Sequence, residues 1–217
     1  MNLWNRIKLA WFLFWNRYEA AQTWSPDYSR LPGALVDARF DITCASRQEI
    51  ARKARYFEKN SALVQRLCEL FTIFVAGPTG LTLLPNSSDK EWNTRAKKYW
   101  NDWQNFPDLN SRQNLGVLQG LIAWTWCLDG EVFIIKTRGR TREDNRVFPR
   151  IQLIESHRCS TPPQRVMDEG KSICDGIEMD ENGRPMAYWF KESSDSQDFR
   201  RVDAANVIHV FEPTRPG

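Results

Sequence analysis

Histidine is nearly missing from this chain: His157 and His209 are the two present among 217 residues. That leaves little for the commonest acid–base and metal-ligand chemistry. The sequence has no G-x-S-x-G elbow, no H-E-x-x-H pair and no G-x-G-x-x-G turn. Gly170-Lys171-Ser172 looks like the end of a phosphate-binding loop. The Gly that such a loop needs five residues earlier is Arg165, however, and no apolar strand leads into it. His157-Arg158-Cys159 puts two soft donors side by side, too few for a zinc site. The expected catalytic, cofactor-binding and metal-ligating residues are therefore none.

Cysteine is sparse and unpaired in pattern. The five, at 44, 68, 127, 159 and 174, form no C-x-x-C and are odd in number. Reduced thiols in a cytosolic compartment fit this better than a disulfide framework. Long apolar runs are also lacking. Leu9–Trp15, flanked by Arg6, Lys8 and Arg17, falls far short of the about 20 residues that a bilayer-spanning helix needs. A signal peptide is disfavoured because Glu19 stands where a small-residue cleavage site belongs. Two readings of that run stay open: an interfacial helix anchored by Trp4, Trp11 and Trp15, or a helix docking on a partner subunit. Charge is balanced as well, with 30 basic and 27 acidic residues and a formal net charge of +3. Bulk charge therefore does not announce nucleic acid, although local patches remain open. Reduced cysteine also makes the Asn86-Ser87-Ser88 sequon irrelevant.

What is present is an ordinary globular composition, 41% hydrophobic and 26% charged, with ten tryptophans. The length suits one good core, or one core with a small appendage. Residues 2–21 can form a helix, and 22–45 are broken by Pro26, Pro32 and Gly33. Ser46 with Glu49 reads as a capping box opening a helix that carries Ile50, Ala54 and Phe57. Asn60-Ser61 marks a break and a new N-cap. The next helix has Leu63, Leu67, Leu70 and Phe74 on one stripe, with Val64, Phe71 and Val75 beside it, ending at Gly77-Pro78. So wide an apolar arc predicts a central, buried helix. Ser88 and Glu91 form another capping box, followed by Trp92, Ala96, Tyr99, Trp100 and Trp103 at helical spacing. That aromatic face reads as core rather than as a base-stacking platform. After a loop at Pro107, Leu115, Leu118, Ile122 and Trp126 predict a third core helix over 111–128. Gly116 and Gly120 on it permit close approach by another helix.

The remainder reads as β structure. Asp129-Gly130 turns the chain into a buried strand at Val132–Ile135. Ile151, Leu153 and Glu155 begin a second strand, and 156–172 reads as loop. Gly176–Phe190 reads as a hairpin, with Asn182-Gly183 as a two-residue type I′ turn. That register sets Met179 against Met186, Ile177 against Tyr188 and Glu181 against Arg184. A polar insertion at 192–200 precedes a last strand, Val207–Phe211, stopped by Pro213 and Pro216. His209 within it reads as a structural histidine, and His157 as exposed. The loop Arg138–Arg146 offers Arg138, Arg140, Arg142 and Arg146 to phosphate or to an acidic surface; its alternative is a solvated loop partly neutralised by Glu143 and Asp144.

Two blocks carry a family resemblance. Gly176–Trp189 follows G-I-E-x-D-x-x-G-R-P-x-A-Y-W, and Val202–Gly217 follows V-x-A-x-x-V-I-H-x-F-x-x-x-R-P-G. The pair resembles the signature of portal proteins from lambda-like tailed phages, with likeness extending over most of 18–217. The resemblance implies an α+β fold with N-terminal helical segments before a small, mostly antiparallel sheet. It divides the chain into an N-terminal helix and arm (1–45), a helical wing/body part (46–128) and a β-rich body part (129–217) cut before the stem. It implies a structural subunit of a dodecameric ring at the capsid vertex, which passes DNA during packaging and ejection and joins head to tail. Implied partners are further copies of the chain, the terminase large subunit, capsid and scaffold proteins, head-completion or tail proteins, and double-stranded DNA. Implied surroundings are the virion, and the host cytoplasm during assembly. No small-molecule substrate is expected. In the family the tunnel-lining elements follow Arg-Pro-Gly, so this stretch alone is not expected to close into a stable ring. The alternatives are a non-enzymatic nucleic-acid-binding α+β module, a membrane-surface protein, or a non-functional prophage remnant of a portal.

Overall fold

The computed structural model describes residues 42–140, 147–163 and 172–213. The readings for the N-terminal helix and arm up to residue 41, and for Arg142, Arg146, Arg215, Pro216 and Gly217, lie outside them. The chain forms two compact units, residues 1–56 with 213–217, and residues 57–212. Four helices precede seven strands among the described residues, an α+β arrangement as expected.

Helix α1 spans Cys44–Asn60 and crosses the boundary between the units. Its cap is Thr43, not Ser46: the Thr43 hydroxyl accepts from Ser46 N at 3.2 Å, and the Thr43 carbonyl accepts from Arg47 N. Glu49 takes no part in capping. It binds the Arg52 guanidinium at 2.7 Å instead, which holds its carboxyl below the usual range. The break at Asn60-Ser61 is as expected, with Ser61 the extended N-cap of α2, Ala62–Ala76. Gly77 ends α2 at φ +74.

Helix α3 covers Lys90–Trp103, and its cap is Asp89, whose carboxylate accepts from Trp92 N at 2.9 Å. The cap therefore sits one residue later than the Ser88 reading. Helix α4 covers Leu115–Asp129 and is capped by Asn114 accepting from Val117 N. It begins later than residue 111 because Ser111 adopts φ +53 in a turn and cannot be helical. Helices α2 and α4 pack on each other. Gly116 is the tight point: a Cβ there would clash with the Thr79 carbonyl, and one on Gly80 would fall 2.6 Å from Gly116 Cα. Gly120 faces Thr72 of α2 at ordinary contact distance.

Two predictions about helix burial fail. Helix α2 is not central: Cys68 and Ala76 are its buried residues, while Leu63, Leu67 and Phe74 are exposed, Phe74 by 84%. One face, Val64-Cys68-Phe71-Thr72-Ala76, turns inward; Leu63, Leu67 and Phe74 of the predicted stripe turn out, and Leu70 is half-buried. Helix α3 has no fully buried residue: of its predicted aromatic face Trp92 and Tyr99 are exposed, while Ala96, Trp100 and Trp103 are half-buried. Its C-terminal end is anchored to the β half by Trp103 Nε1 donating to the Pro149 carbonyl at 2.8 Å and by Tyr99 stacked on Phe148.

The β half forms two sheets rather than one small sheet. The first has order β2-β1-β7, with β1 Glu131–Arg140, β2 Val147–Ile154 and β7 Val207–Phe211. The second has order β3-β4-β5-β6, with β3 Ser172–Cys174, β4 Ile177–Met179, β5 Pro185–Lys191 and β6 Phe199–Asp203. All ladders between these strands are antiparallel. Strands β1 and β2 run further than expected, so Arg138 and Arg140 lie on a strand of a long hairpin, not in a loop. Strand β3 replaces the end of the predicted loop, and β6 begins inside the predicted polar insertion. Val132–Ile135 is buried on both faces, as its unbroken apolar run requires. Phe133 packs edge-on to Tyr188 and Phe190 of the second sheet at 5.7 and 5.2 Å. Phe133, Ile135, Ile154, Cys159, Tyr188 and Phe190 form the core, with Ile177, Val202, Ala204 and Val207 against it.

Candidate functional site

The signature hairpin is built from two turns. Strands β3 and β4 pair Cys174 with Ile177, leaving Asp175-Gly176 as a two-residue loop with φ +50 and +86. Both residues at positive φ is what a type I′ turn needs, and Asp-Gly supplies it. Gly176 is further required by space, since a Cβ there would lie 2.6 Å from Ser160 N. The Asn182-Gly183 corner does join adjacent antiparallel strands, but through a longer loop than expected. Gly183 alone takes positive φ, its N–H bonds the Asp180 carbonyl, and Asp180 N bonds the Arg184 carbonyl. That is a three-residue loop, Glu181-Asn182-Gly183, with Gly at the bulge position.

Asp180 is the cause. Its carboxylate accepts from both Asn182 N at 2.9 Å and Arg184 N at 2.8 Å, closing the corner from inside. An irregularity between Glu178 and Met179 absorbs the extra residue. Ile177 therefore still faces Tyr188 as predicted, while Met179 faces Pro185 instead of Met186, and the tip pair is Asp180 with Arg184.

The other face of this sheet holds a buried charge that the sequence reading missed. Glu178 is 1% exposed. Arg201 of β6 grips it with two nitrogens, Nε at 2.9 Å from Oε2 and Nη2 at 3.2 Å from Oε1. Trp189 Nε1 donates to Oε2 at 3.3 Å, and Asp203 takes the remaining Arg201 Nη1 at 2.8 Å. The Glu178 carboxylate raises the Arg201 pKa further, with Asp203 adding to it. Two letters of the first block, Glu and Trp, thus meet across neighbouring strands. Glu178 in the alternating run Ile-Glu-Met has the outward parity of an exposed residue, and its partner is 23 residues away, so nothing local reveals the pair.

The second block is equally occupied with packing. Val202, Ala204 and Val207 lie on the core. His209 stacks on Phe133 at 4.3 Å, and its Nε2 lies 2.9 Å from Glu131 Oε2. His209 is a structural histidine tying β7 to the head of β1. His157 is half-buried in a short turn, with Nε2 2.9 Å from the Ser194 hydroxyl, so it is less exposed than expected. The two imidazoles serve different networks. Burial pushes the Tyr188 phenol above its usual range, with Cys159 and Glu131 adding to the shift.

Two surfaces remain. Lys136, Arg138 and Arg140 stand at alternate positions of β1, hence on one face of the long hairpin. All three turn toward solvent. Lys136 was not among the arginines singled out from sequence. The second surface is the outer stripe of α2, continued in the chain by exposed Leu81, Leu83 and Leu84. Contiguous apolar exposure of this kind marks an interaction surface in soluble proteins. Among the described residues no group of three or more His, Cys, Asp or Glu is placed to hold a metal. No helix among them is long and apolar enough to cross a membrane.

Both blocks are thus occupied with building the fold, and the sequence comparisons agree with that character. The family description "phage portal protein, lambda family" matches residues 35–217. The chain belongs to that family. A "probable portal protein" of Halomonas phage phiHAP-1 (isolate -/Gulf of Mexico/-/2001) is 25% identical over 185 residues, covering 78% of this chain and 35% of the relative. The chain thus spans about a third of the length of the curated relative it matches. The portal family is a structural one, and the lambda-family resemblance read from Gly176–Trp189 and Val202–Gly217 is the correct one.

Proposed function

We propose that this chain is a passive structural subunit of a phage portal ring at the capsid vertex, and that it catalyses no reaction. In this reading copies of the protein surround the channel for DNA packaging and ejection, and meet the terminase large subunit, the capsid and scaffold proteins and the head–tail connection. Residues 46–128 supply the helical part of the wing and body, and 129–217 the β-rich part of the body.

One observation carries the reading beyond family membership: the Leu63-Leu67-Phe74 stripe of α2 is turned away from the helix's own packing partner. A ring needs a heterologous side contact, in which one patch meets a different patch on the next copy. We assign the stripe to that contact with a neighbouring copy. Its test is sedimentation of the chain over a range of concentrations. The wild type is expected to associate as concentration rises, and the Leu67→Glu/Phe74→Glu variant to remain monomeric with unchanged circular dichroism. Equal association by both proteins, or by neither, contradicts the assignment.

The cation row Lys136-Arg138-Arg140, with Arg142 and Arg146 nearby in sequence, supports contact with DNA phosphate. Such contact weakens steeply with salt. Retention on double-stranded DNA should fall with salt and drop in the Lys136→Ala/Arg138→Ala/Arg140→Ala variant; retention indifferent to those changes removes the role.

A further inference from the structure

Helices α2 and α4 run antiparallel with a clear register. Phe71 meets Trp126, with ring centroids 5.5 Å apart. Thr72 lies against Gly120, and the segment after α2 crosses Gly116. Position numbers rise along α2 as they fall along α4. The same register brings Cys68 near Cys127, close enough for the Cys127 thiol to help raise the Cys68 pKa. Cys68 is buried, 2% exposed, while Cys127 is exposed to solvent, and neither is in a disulfide. Small residues hold the helix backbones close here: Gly120 faces Thr72, and Ala76 and Ala123 are buried. Close backbones are what a disulfide requires, with Cα atoms roughly 4.4–6.8 Å apart.

We propose that Cys68 and Cys127 are a modification site, a dithiol that small disulfide oxidants convert into a cross-link between α2 and α4. Exposed Cys127 reacts first. Its thiolate attacks one sulfur of oxidised glutathione, forming a mixed disulfide and releasing one glutathione thiol. Cys68 then gives its proton to solvent and attacks the Cys127 sulfur, releasing the second glutathione. The protein dithiol is oxidised and the glutathione disulfide is reduced, two electrons each way. The cross-link fixes α2 on the helix behind it, while the apolar stripe on its outer face stays open.

Cys68 is the slow partner. Burial, the neighbouring Cys127 and then Glu58 of α1 push its thiol from 9.0 to about 11. Capping Cys127 removes its share of that shift, but burial still disfavours the Cys68 thiolate, and since the thiolate is the nucleophile, closure should accelerate as pH rises.

The test is to treat the folded full chain with oxidised glutathione, quench with acid, alkylate under denaturing conditions and map peptides by mass spectrometry. The expected product is a Cys68–Cys127 linked peptide, formed faster as pH rises, with a raised unfolding midpoint. In the Cys68→Ser variant Cys127 should instead accumulate as its glutathione adduct. The proposal is overturned if wild-type Cys127 keeps its glutathione while Cys68 remains alkylatable. It is equally overturned if the links formed join Cys44, Cys159 or Cys174 instead.

Discussion

The α2–α4 helix pair and the two-sheet β half treat apolar side chains in opposite ways. In the β half the aromatic core is enclosed within the chain: Phe133 and Phe190 are each 1% exposed and Tyr188 is packed against them, although Val147, Met186, Ile208 and Phe211 at its margins stay exposed. Even its charge is consumed, Glu178 being closed over by Arg201 and Trp189. In the helix pair one face of α2 is satisfied by α4, while Leu63, Leu67 and Phe74 on the other are left to solvent. The β half closes a core of its own; the helix pair carries a contiguous apolar face, Leu63, Leu67 and Phe74, that α4 does not cover. A protein built to lie against copies of itself should show this division, because stability and assembly then reside in different residues.

The largest effect that sharpens this comparison lies in the β half. Arg201→Ala leaves the Glu178 carboxylate buried without its cation. Complete burial of an unpaired charge costs about 3–5 kcal/mol, but Arg201 is partly in water, so a loss of about 2–3 kcal/mol is expected after that screening. Urea denaturation measures it, and Arg201→Lys should recover part of the loss through charge without the forked geometry. A loss as small as that of an ordinary surface ion pair would show that water already reaches Glu178.

At the small end stands the Leu67→Glu/Phe74→Glu variant of α2. Substitutions at exposed positions are usually within about 0.5 kcal/mol in effect, so the monomer's denaturation curve should barely move while association is lost. A large drop in monomer stability would mean that the stripe is covered from within the chain, and the contrast between the two halves would disappear.

Much of the β half is legible in the amino-acid sequence alone. The Val132–Ile135 run, the Val207–Phe211 strand, the pairing of Ile177 with Tyr188 and the structural role of His209 all follow from patterns read over a few residues. The misreadings come from competition between similar local signals. Asp175-Gly176 and Asn182-Gly183 are both good type I′ sequences, and the side chain of Asp180 decided which loop became longer. Ser46 and Thr43 are both acceptable caps, as are Ser88 and Asp89, and the choice depends on where the backbone leaves the helix. The Glu178–Arg201–Trp189 network joins three strands, so no window along the chain contains it.

The α2 reading failed for a different reason. Periodicity identifies an apolar face but not what covers it, and on α2 the apolar arc is wide enough that Val64, Cys68, Phe71 and Ala76 turn inward while Leu63, Leu67 and Phe74 turn outward. The outer face of α2 was thus visible as an apolar stripe and assigned to the wrong side of the helix. The Trp stripe of α3 repeats the lesson: Trp103 finds the Pro149 carbonyl, and Trp92 stays outside.

The most direct measurement of whether the outer face of α2 is an assembly surface is hydroxyl-radical footprinting of the chain at increasing concentration, read residue by residue by mass spectrometry. Oxidation of Phe74 and Leu67 is expected to fall as the protein associates, while exposed Trp92 on α3 keeps its reactivity. Phe74 oxidised to the same extent at every concentration, in a sample that demonstrably associates, would contradict an assembly role for that face.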